Sequence, residues 1–352
     1  MLNGMTGGII VTYLITLLSA KQSRRIRVIE NILHNKRTVT TLFWGMRYQI
    51  LPWLGSMRQL ERADFDAQLS QLVAAGLANI SQNQVLLSSA GYQAQLQFWQ
   101  HHQRPQFLKF YLLGDIDKME KRVLLAGQVL SEYSFQNKNY APLSFDGDEL
   151  RAVKLWFHQQ NKSNLVFQFK QELTTFLSTL GEQQANFLVM QLVGHKVAGW
   201  STEQAAEQLE LPVIDATMVR RDLWAGLTGF FVDKTGPMHD LIAPLIQATP
   251  LSHSTQITYE LFNRGYSIEQ ICRARHLKLS TIREHLLEVA IFLPRKFPFQ
   301  TFLSDPVMQQ LEQHYQGNVD QWQFNATDKS DGQSFFYFRL FQIMRSYQEY
   351  AQ

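Results

Sequence analysis

Cysteine and the common catalytic motifs are scarce in this sequence of 352 residues. Its single cysteine excludes an internal disulfide framework and is typical of a reducing compartment, so we expect a cytoplasmic protein. The sequence has no G-x-x-x-x-G-K-[ST] phosphate-binding loop, no H-E-x-x-H motif and no pair of C-x-x-C motifs. A nucleotide-driven motor and a zinc site are therefore unsupported. We expect a protein that is not an enzyme and that needs no cofactor.

An excess of charge of one sign is also lacking. Lys and Arg number 33, Asp and Glu number 30, and the formal net charge is +3. A protein that depends on phosphate contacts over its whole surface is usually more basic than this. Any affinity for nucleic acid should therefore be local and modest, with a shallow dependence on salt. Apolar residues at 45% and charged residues at 18% are typical of a globular chain, with room for two or three domains.

A long hydrophobic run is missing as well. The apolar segment 9–18 is too short to span a bilayer. Its basic residues, Lys21, Arg24 and Arg25, follow the apolar run, whereas those of a signal peptide precede it. We predict that this segment is a buried first helix and expect no membrane partner, with membrane attachment as the alternative.

The segment Ser254–Phe292 has the pattern of three short helices joined by tight turns. Gly265 follows the first helix, at a place where a positive φ costs a glycine little. Polar residues before each helix are placed to accept hydrogen bonds from its first turn. This layout predicts a helix-turn-helix, whose third helix normally enters the DNA major groove. The residues expected to cap the three helices are Ser254 or Thr255, Ser267 with Gln270, and Ser280 or Thr281.

The outward side of the third helix is suited to DNA. Lys, Arg, Ser and Thr bind phosphates, and Arg and His also reach base edges. Glu284 and Glu288 are predicted on the same side and would oppose a phosphate backbone. A helical hairpin that binds protein or only packs is the alternative interpretation of this pattern. The candidate DNA contacts are Lys278, Ser280, Thr281, Arg283 and His285.

The stretch G-Y-S-I-E-Q-I-C-R-A-R-H-L-K-L-S-T-I-R-E-H-L, residues 265–286, resembles the helix-turn-helix domain at the C-terminus of many bacterial RecQ-type DNA helicases. It also resembles the free-standing YpbB-like family of Firmicutes, which is thought to be encoded beside such a helicase. The resemblance implies DNA binding and a RecQ-type helicase as partner, in recombination or repair. Cys272-Arg273 departs from the family pattern of a small residue followed by a polar one. The matching core comprises Gly265, Ser267, Ile268, Ile271, Leu277, Ser280, Thr281, Ile282, His285 and Leu286.

A second candidate module lies near the N-terminus. Residues 60–77 have the spacing of an amphipathic helix, 78–87 have that of two short strands around Gln82-Asn83, and 90–101 have that of another helix. Helix, hairpin and helix together predict a winged-helix-like domain. Acidic residues balance the arginines of its first helix, so this pattern favours protein docking over DNA contact.

An internal repeat precedes the helix-turn-helix. Residues 199–206 align with residues 265–272, and in both copies a serine is placed to cap the next helix. The earlier copy, 185–227, would carry Arg220 and Arg221 on its third helix, so that two units present basic helices to one duplex. A shared capping pattern without a true repeat is the alternative. Arg295 and Lys296, after the second copy, are predicted to hold a phosphate beside its third helix.

The expected fold is mainly α, with a winged-helix-like N-terminal domain and a tandem helix-turn-helix C-terminal region. The predicted divisions are 1–104, 105–182, 183–250 and 251–352, the last ending in the aromatic tail Ser334–Tyr350. That tail is expected to pack in the core, or alternatively to dock a partner. The predicted function is non-catalytic DNA binding in support of a RecQ-like helicase. A helix-turn-helix transcription regulator and an adaptor without nucleic-acid affinity are the alternatives.

Overall fold

Most of the chain folds into helices, because apolar residues recur along it at intervals of three and four. The computed structural model describes residues 13–143, 147–324 and 332–351. Within those ranges the chain forms seventeen α-helices and one three-stranded sheet. Each of those helices is too short or too polar to pass through a bilayer. The expectation of a mainly helical fold is confirmed.

The chain groups into two units. Unit 1 contains the residues up to Ala94 together with those from Thr249, and unit 2 contains Gln95–Ala248. The four-part division expected from the sequence stays a prediction.

The elements in chain order are β1 Arg24–Arg25, α1 Ile26–Leu33, α2 Val39–Arg47, α3 Arg62–Ala74, β2 Ala78–Ser81, β3 Gln84–Leu87, α4 Ser89–His101, α5 Ile116–Ser134, α6 Gly147–Gln159, α7 Leu165–Leu177, α8 Glu182–Met190, α9 Thr202–Gln208, α10 Val213–Phe231, α11 Pro237–Ile242, α12 His253–Asn263, α13 Ile268–Arg275, α14 Leu279–Phe292, α15 Phe299–Phe302, α16 Asp305–His314 and α17 Gly332–Ala351.

The N-terminal part of unit 1 has the predicted winged-helix-like arrangement of α3, a hairpin and the first part of α4; the rest of α4, from Gln95, belongs to unit 2. Strands β2 and β3 pair antiparallel from Ala78–Leu87 to Ser81–Gln84. Gln82 and Asn83, between them, both have positive φ, which matches the right-handed twist of a two-residue hairpin. A Cβ at Gly91 would meet the Leu77 carbonyl oxygen, so α4 closes on the hairpin through a glycine. Strand β1 pairs with the other side of β3 and forms an edge of the sheet.

The described part of the apolar N-terminal segment, residues 13–18, packs inward, as predicted. Tyr13–Leu17 form a short 3-10 helix, and Tyr13 and Ile15 are fully buried. The remainder of the predicted first helix, residues 9–12, lies outside the described residues. The buried side chains suit a globular core rather than a membrane anchor.

The C-terminal helix α17 supplies the core of unit 1. Phe338, Leu340, Phe341 and Ile343 are almost completely buried on it. Helix α17 packs against α14, and Trp322 stacks on Phe341 with ring centroids 5.3 Å apart. The aromatic tail is therefore core, as expected, and its apolar face is not left open for a partner.

Unit 2 is a helical assembly around a separate core. That core includes Trp156 and Trp224 at the centre of helices α6 and α10. Asp222 on α10 accepts backbone hydrogen bonds from Gln106 (2.7 Å) and Phe107 (2.9 Å), which fixes the entry into the unit. The first copy of the predicted repeat, α8 to α10, lies within unit 2.

Candidate DNA-binding surface

Helices α12 to α14 form the predicted helix-turn-helix, and side-chain caps fix where the first two of them start. Ser252 accepts the Thr255 N–H at the start of α12, so the cap lies just before the residues expected. Gly265 follows α12 with φ of +84°, as predicted. Ser267 and Gln270 form a complete capping box at α13, also as predicted. Local hydrogen bonds therefore set the first two helices of the motif.

The turn between α13 and α14 is built from the backbone. His276 is in the left-handed region with φ of 53°, and the Leu277 N–H donates to the Cys272 carbonyl at 3.1 Å. Lys278 then occupies the N-cap position with extended backbone and without a side-chain cap. Since α14 begins at Leu279, the expectation that Ser280 or Thr281 caps it is wrong. Both residues lie in the first turn of the helix, with side chains available for other contacts.

The first copy of the repeat has the same turn in α9 and α10. Ser201 and Gln204 form its capping box. Glu210 has φ of 53°, as His276 has, and the N-caps of the second and third helices are eleven positions apart in both copies. The first helices differ, because α8 ends well before Ser201 whereas α12 ends close to Ser267. The corresponding pairs are Ser201 with Ser267, Gln204 with Gln270, Ala206 with Cys272, Glu210 with His276, Leu211 with Leu277 and Pro212 with Lys278.

The two arginines of the first copy are paired with carboxylates. The Arg220 guanidinium lies 2.5 Å from Glu120 and donates to Thr202 at 2.8 Å. Arg221 lies 3.0 Å from Asp117. Both partners are on α5 within unit 2. The role of these arginines in DNA contact stays a prediction, and their pairing means that a phosphate would have to displace a carboxylate.

The second copy presents an open surface at the start of α14. Lys278 and Ser280 are exposed, and Thr281 and Arg283 are half-buried. In the described part of the chain, Arg283 forms no ion pair. Helical spacing places Ser280 and Arg283 on one side of α14. The same motif has two further exposed arginines, Arg264 and Arg273, which were not among the predicted contacts. Each lies next to a predicted turn, and that position is the sequence signal by which they could have been found.

His285 is directed into the motif. Its Nδ1 lies 2.8 Å from the Thr258 hydroxyl on α12. Burial lowers the pKa of His285, the nearby Arg275 cation lowers it further, and Glu288 opposes this to a lesser extent. The imidazole is therefore neutral near pH 7 and helps to join α12 to α14. The predicted base contact from this residue stays untested, and its geometry is that of a packing residue.

Glu288 was predicted on the outward side of α14, and this is wrong. Its side chain is buried and accepts hydrogen bonds from the Ser252 N–H (2.7 Å) and the Thr255 hydroxyl (2.9 Å). Arg37, just before α2, completes the group with a guanidinium nitrogen 2.7 Å from Glu288. The C-terminal half of α14 is covered because α2 and α17 pack on it. Only its N-terminal half faces outward.

Arg295 and Lys296 are exposed, but they lie beyond the other end of α14. The helix has 14 residues and is therefore about 21 Å long. The structure does not bring these two cations together with Lys278 and Arg283. Their predicted phosphate contact would have to fall elsewhere on a duplex.

No group of three His, Cys, Asp or Glu side chains arranged to hold a metal ion occurs among residues 13–143, 147–324 and 332–351. Cys272, the single cysteine, is half-buried on α13. The chemistry offered by the motif is thus hydrogen bonding and charge.

Comparisons with known proteins agree with this geometry. Residues 254–341 match the family model described as a helix-turn-helix domain. The chain is similar to the protein YpbB of Bacillus subtilis (strain 168), with 25% identity over 179 residues, which is 49% of this chain and 50% of that protein. The chain thus spans about half the length of this curated relative. No solved structure matches the chain significantly. The C-terminal part of unit 1 therefore contains a helix-turn-helix domain.

We expect Glu288→Ala to destabilise the protein by roughly 3 kcal/mol, because it leaves the Arg37 guanidinium and the Ser252 N–H without their acceptor. In the Glu288→Ala background, Arg37→Ala should lower the free energy of unfolding much less than it does in the wild type, because the two residues share one interaction. Urea unfolding followed by circular dichroism measures both. The control is Glu284→Ala on the exposed side of the same helix, with an expected change within about 0.5 kcal/mol. Additive losses would contradict a direct interaction.

We expect His285 to make unfolding sensitive to acid. Its folded-state pKa is below the ordinary value, so protonation favours the unfolded state as the pH falls through about 6.5. The stabilisation is present above that pH and is lost below it. His285→Asn should reduce the fall in unfolding free energy between about pH 7.5 and about pH 5.5. His253→Asn, at an exposed position of α12, should retain the wild-type fall; equal profiles for all three proteins would refute the assignment.

Proposed function

We propose that this chain is a non-catalytic DNA-binding protein that contacts duplex DNA with the N-terminal half of α14. The observation that supports this most directly is the division of α14 into a buried C-terminal half and an open start. Third helices of this motif normally enter the major groove with their N-terminal residues. Lys278, Ser280 and Arg283 have the side-chain types that bind phosphates and base edges.

The mechanism assigns different tasks along the helix. Lys278 and Ser280, at its start, bind backbone phosphates, where the positive end of the helix dipole adds to the attraction. Arg283, about one turn further, reaches a second phosphate or a base edge. Exposed Glu284 opposes the phosphates, so affinity is modest. Two or three phosphate contacts correspond to a slope of roughly −2 to −3 in a plot of log affinity against log salt.

We further propose a RecQ-like helicase as the partner, in recombination or repair. This part is supported by the resemblance of residues 265–286 to the domain appended to such helicases. In this arrangement the helicase provides the motor activity, and the present chain binds the duplex next to it. The absence of a phosphate-binding loop from this sequence fits that division of tasks.

The DNA-binding proposal is tested by the double variant Lys278→Glu/Arg283→Glu. On duplex and forked probes in an electrophoretic shift, we expect at least a tenfold loss of affinity, because each lost contact costs about 1–3 kcal/mol. Lys170→Glu, an exposed charge reversal on α7 of unit 2, is the control and should bind as the wild type does.

Equal binding by the wild type and the double variant would overturn the assignment to α14. Tight binding of a dimer to one palindromic sequence would identify a transcription regulator instead. No binding to duplex, forked or single-stranded probes would identify an adaptor.

The helicase proposal has a separate test. Addition of the chain to a RecQ-type helicase from the same source should increase the rate at which a forked duplex is unwound, and the double variant should not do so. Size-exclusion chromatography with both proteins should show a complex. An unchanged rate and no complex, together with normal DNA binding, would contradict the partnership and leave DNA binding in place.

A further inference from the structure

Two clefts adjoin at the edge strand β1 of unit 1. One, of about 450 Å³, is lined by Arg25, Arg27, Asn31, Thr38, Thr40 and Gln84, among others. The second, of about 430 Å³, is lined by residues that include Lys21, Gln22, Arg25, Gln84, Asn318 and Gln321. Because Arg25 and Gln84 line both, the clefts are neighbours that share one wall, and together they form one lined surface around β1. We call it the β1 groove.

The lining of the β1 groove is cationic and rich in hydrogen-bond donors. Lys21 and Arg25 are exposed, and neither pairs with a carboxylate in the described part of the chain. Arg27 is also exposed but bridges Glu30 and Asp66. Amide and hydroxyl groups supply most of the other polar atoms. Such a lining suits the evenly spaced oxygens of a phosphodiester backbone rather than an apolar peptide.

One carboxylate in the groove, Asp320, is already engaged. It lies 2.6 Å from the Arg47 guanidinium and accepts a hydrogen bond from Gln22 at 2.7 Å. Arg47 also pairs with Glu349 at 2.6 Å, so it compensates the charge of Asp320 only in part. The free cations of the groove are left to attract an anion from outside.

Arg25 is held in place before any ligand arrives. Its backbone N–H donates to the Tyr48 hydroxyl at 3.0 Å, and its guanidinium lies 4.3 Å from the centre of the Trp44 ring. Stacking on an indole restricts the side chain while leaving its N–H groups able to donate at their edge. A pre-positioned arginine loses less conformational freedom on binding.

The groove lies near α14 within the same unit. Thr38 in its wall follows Arg37, which is bonded to Glu288 on α14. Glu288 is nine residues along the helix from Leu279, or about 13 Å. The open start of α14 and the Thr38 side of the groove are therefore separated by less than about one turn of B-DNA, roughly 34 Å.

We propose that the β1 groove binds the phosphate backbone of the same duplex that α14 contacts, with Arg25 and Lys21 as the principal cations. This rests on the proposed function of α14 and adds a second contact to it. Two separated contacts on one unit fix the orientation of the duplex, which a single short helix does not. They also raise affinity in a chain with little net charge.

The test uses the full chain and a fluorescent duplex of about 30 base pairs, roughly three helical turns. Arg25→Gln should weaken binding several-fold and reduce the slope of log affinity against log salt by about 0.9, the value for one phosphate contact. Arg25→Lys keeps the charge but not the stacked guanidinium, so it should restore the slope and only part of the affinity. Lys21→Gln, which removes a charge without touching Trp44, should reproduce the reduced slope. Lys170→Gln should leave affinity and slope unchanged.

The outcomes separate this proposal from that for α14. If Lys278→Glu/Arg283→Glu weakens binding but Arg25→Gln and Lys21→Gln do not, the groove proposal fails and α14 stands. If only the groove variants weaken binding, the α14 assignment fails and the groove stands. If the groove variants affect a single-stranded probe and leave the duplex unaffected, the groove takes a different nucleic acid and the proposal is overturned.

Discussion

The ion pair between Arg37 and Glu288 links the N-terminal and C-terminal segments of unit 1. It joins residues separated by 251 positions and places the start of α12, the middle of α14 and the entry to α2 in one hydrogen-bonded group. A buried pair of this kind adds little net stability over an apolar substitute, but the loss of one partner is costly. Around this pair α14 packs against α2 and α17, whereas the start of the helix is open.

The two halves of α14 therefore differ in their environment. Its buried side, with Ile282, Leu286 and Val289, is part of the core of unit 1. Its first turn presents Lys278 and Ser280 outward. The first copy of the motif in unit 2 has the same turn but pairs Arg220 and Arg221 with α5. The two copies thus have the same backbone turn between their second and third helices. They differ in whether the basic side chains of the third helix pair with carboxylates.

Local features of the fold were predictable from the sequence, because local hydrogen bonds create them. The capping boxes of α9 and α13 depend on serine and glutamine three positions apart. The Gln82-Asn83 turn depends on two residues that both have positive φ between short strands. The start of α14, where a serine or threonine cap was expected, is a local feature that was missed. Two other missed features depend on distant partners. Glu288 points inward because it pairs with Arg37, which is distant in the sequence. Helical periodicity carries no information about such a partner. The β1 groove was missed for the same reason, since residues 21–27, 82–84 and 318–321 contribute to it.

Cross-linking tests the central claim, that the start of α14 lies against DNA, most directly. A photoactivatable aryl azide is attached to Ser280→Cys in a Cys272→Ala background, since alanine is the residue at the corresponding position of the first copy, Ala206. The matched site is Phe167→Cys, which is 68% exposed on α7. The account predicts efficient cross-linking to duplex DNA from position 280, abolished by unlabelled competitor, and little from position 167. Equal yields from the two positions, or none from position 280 under conditions where the protein binds DNA, would contradict it.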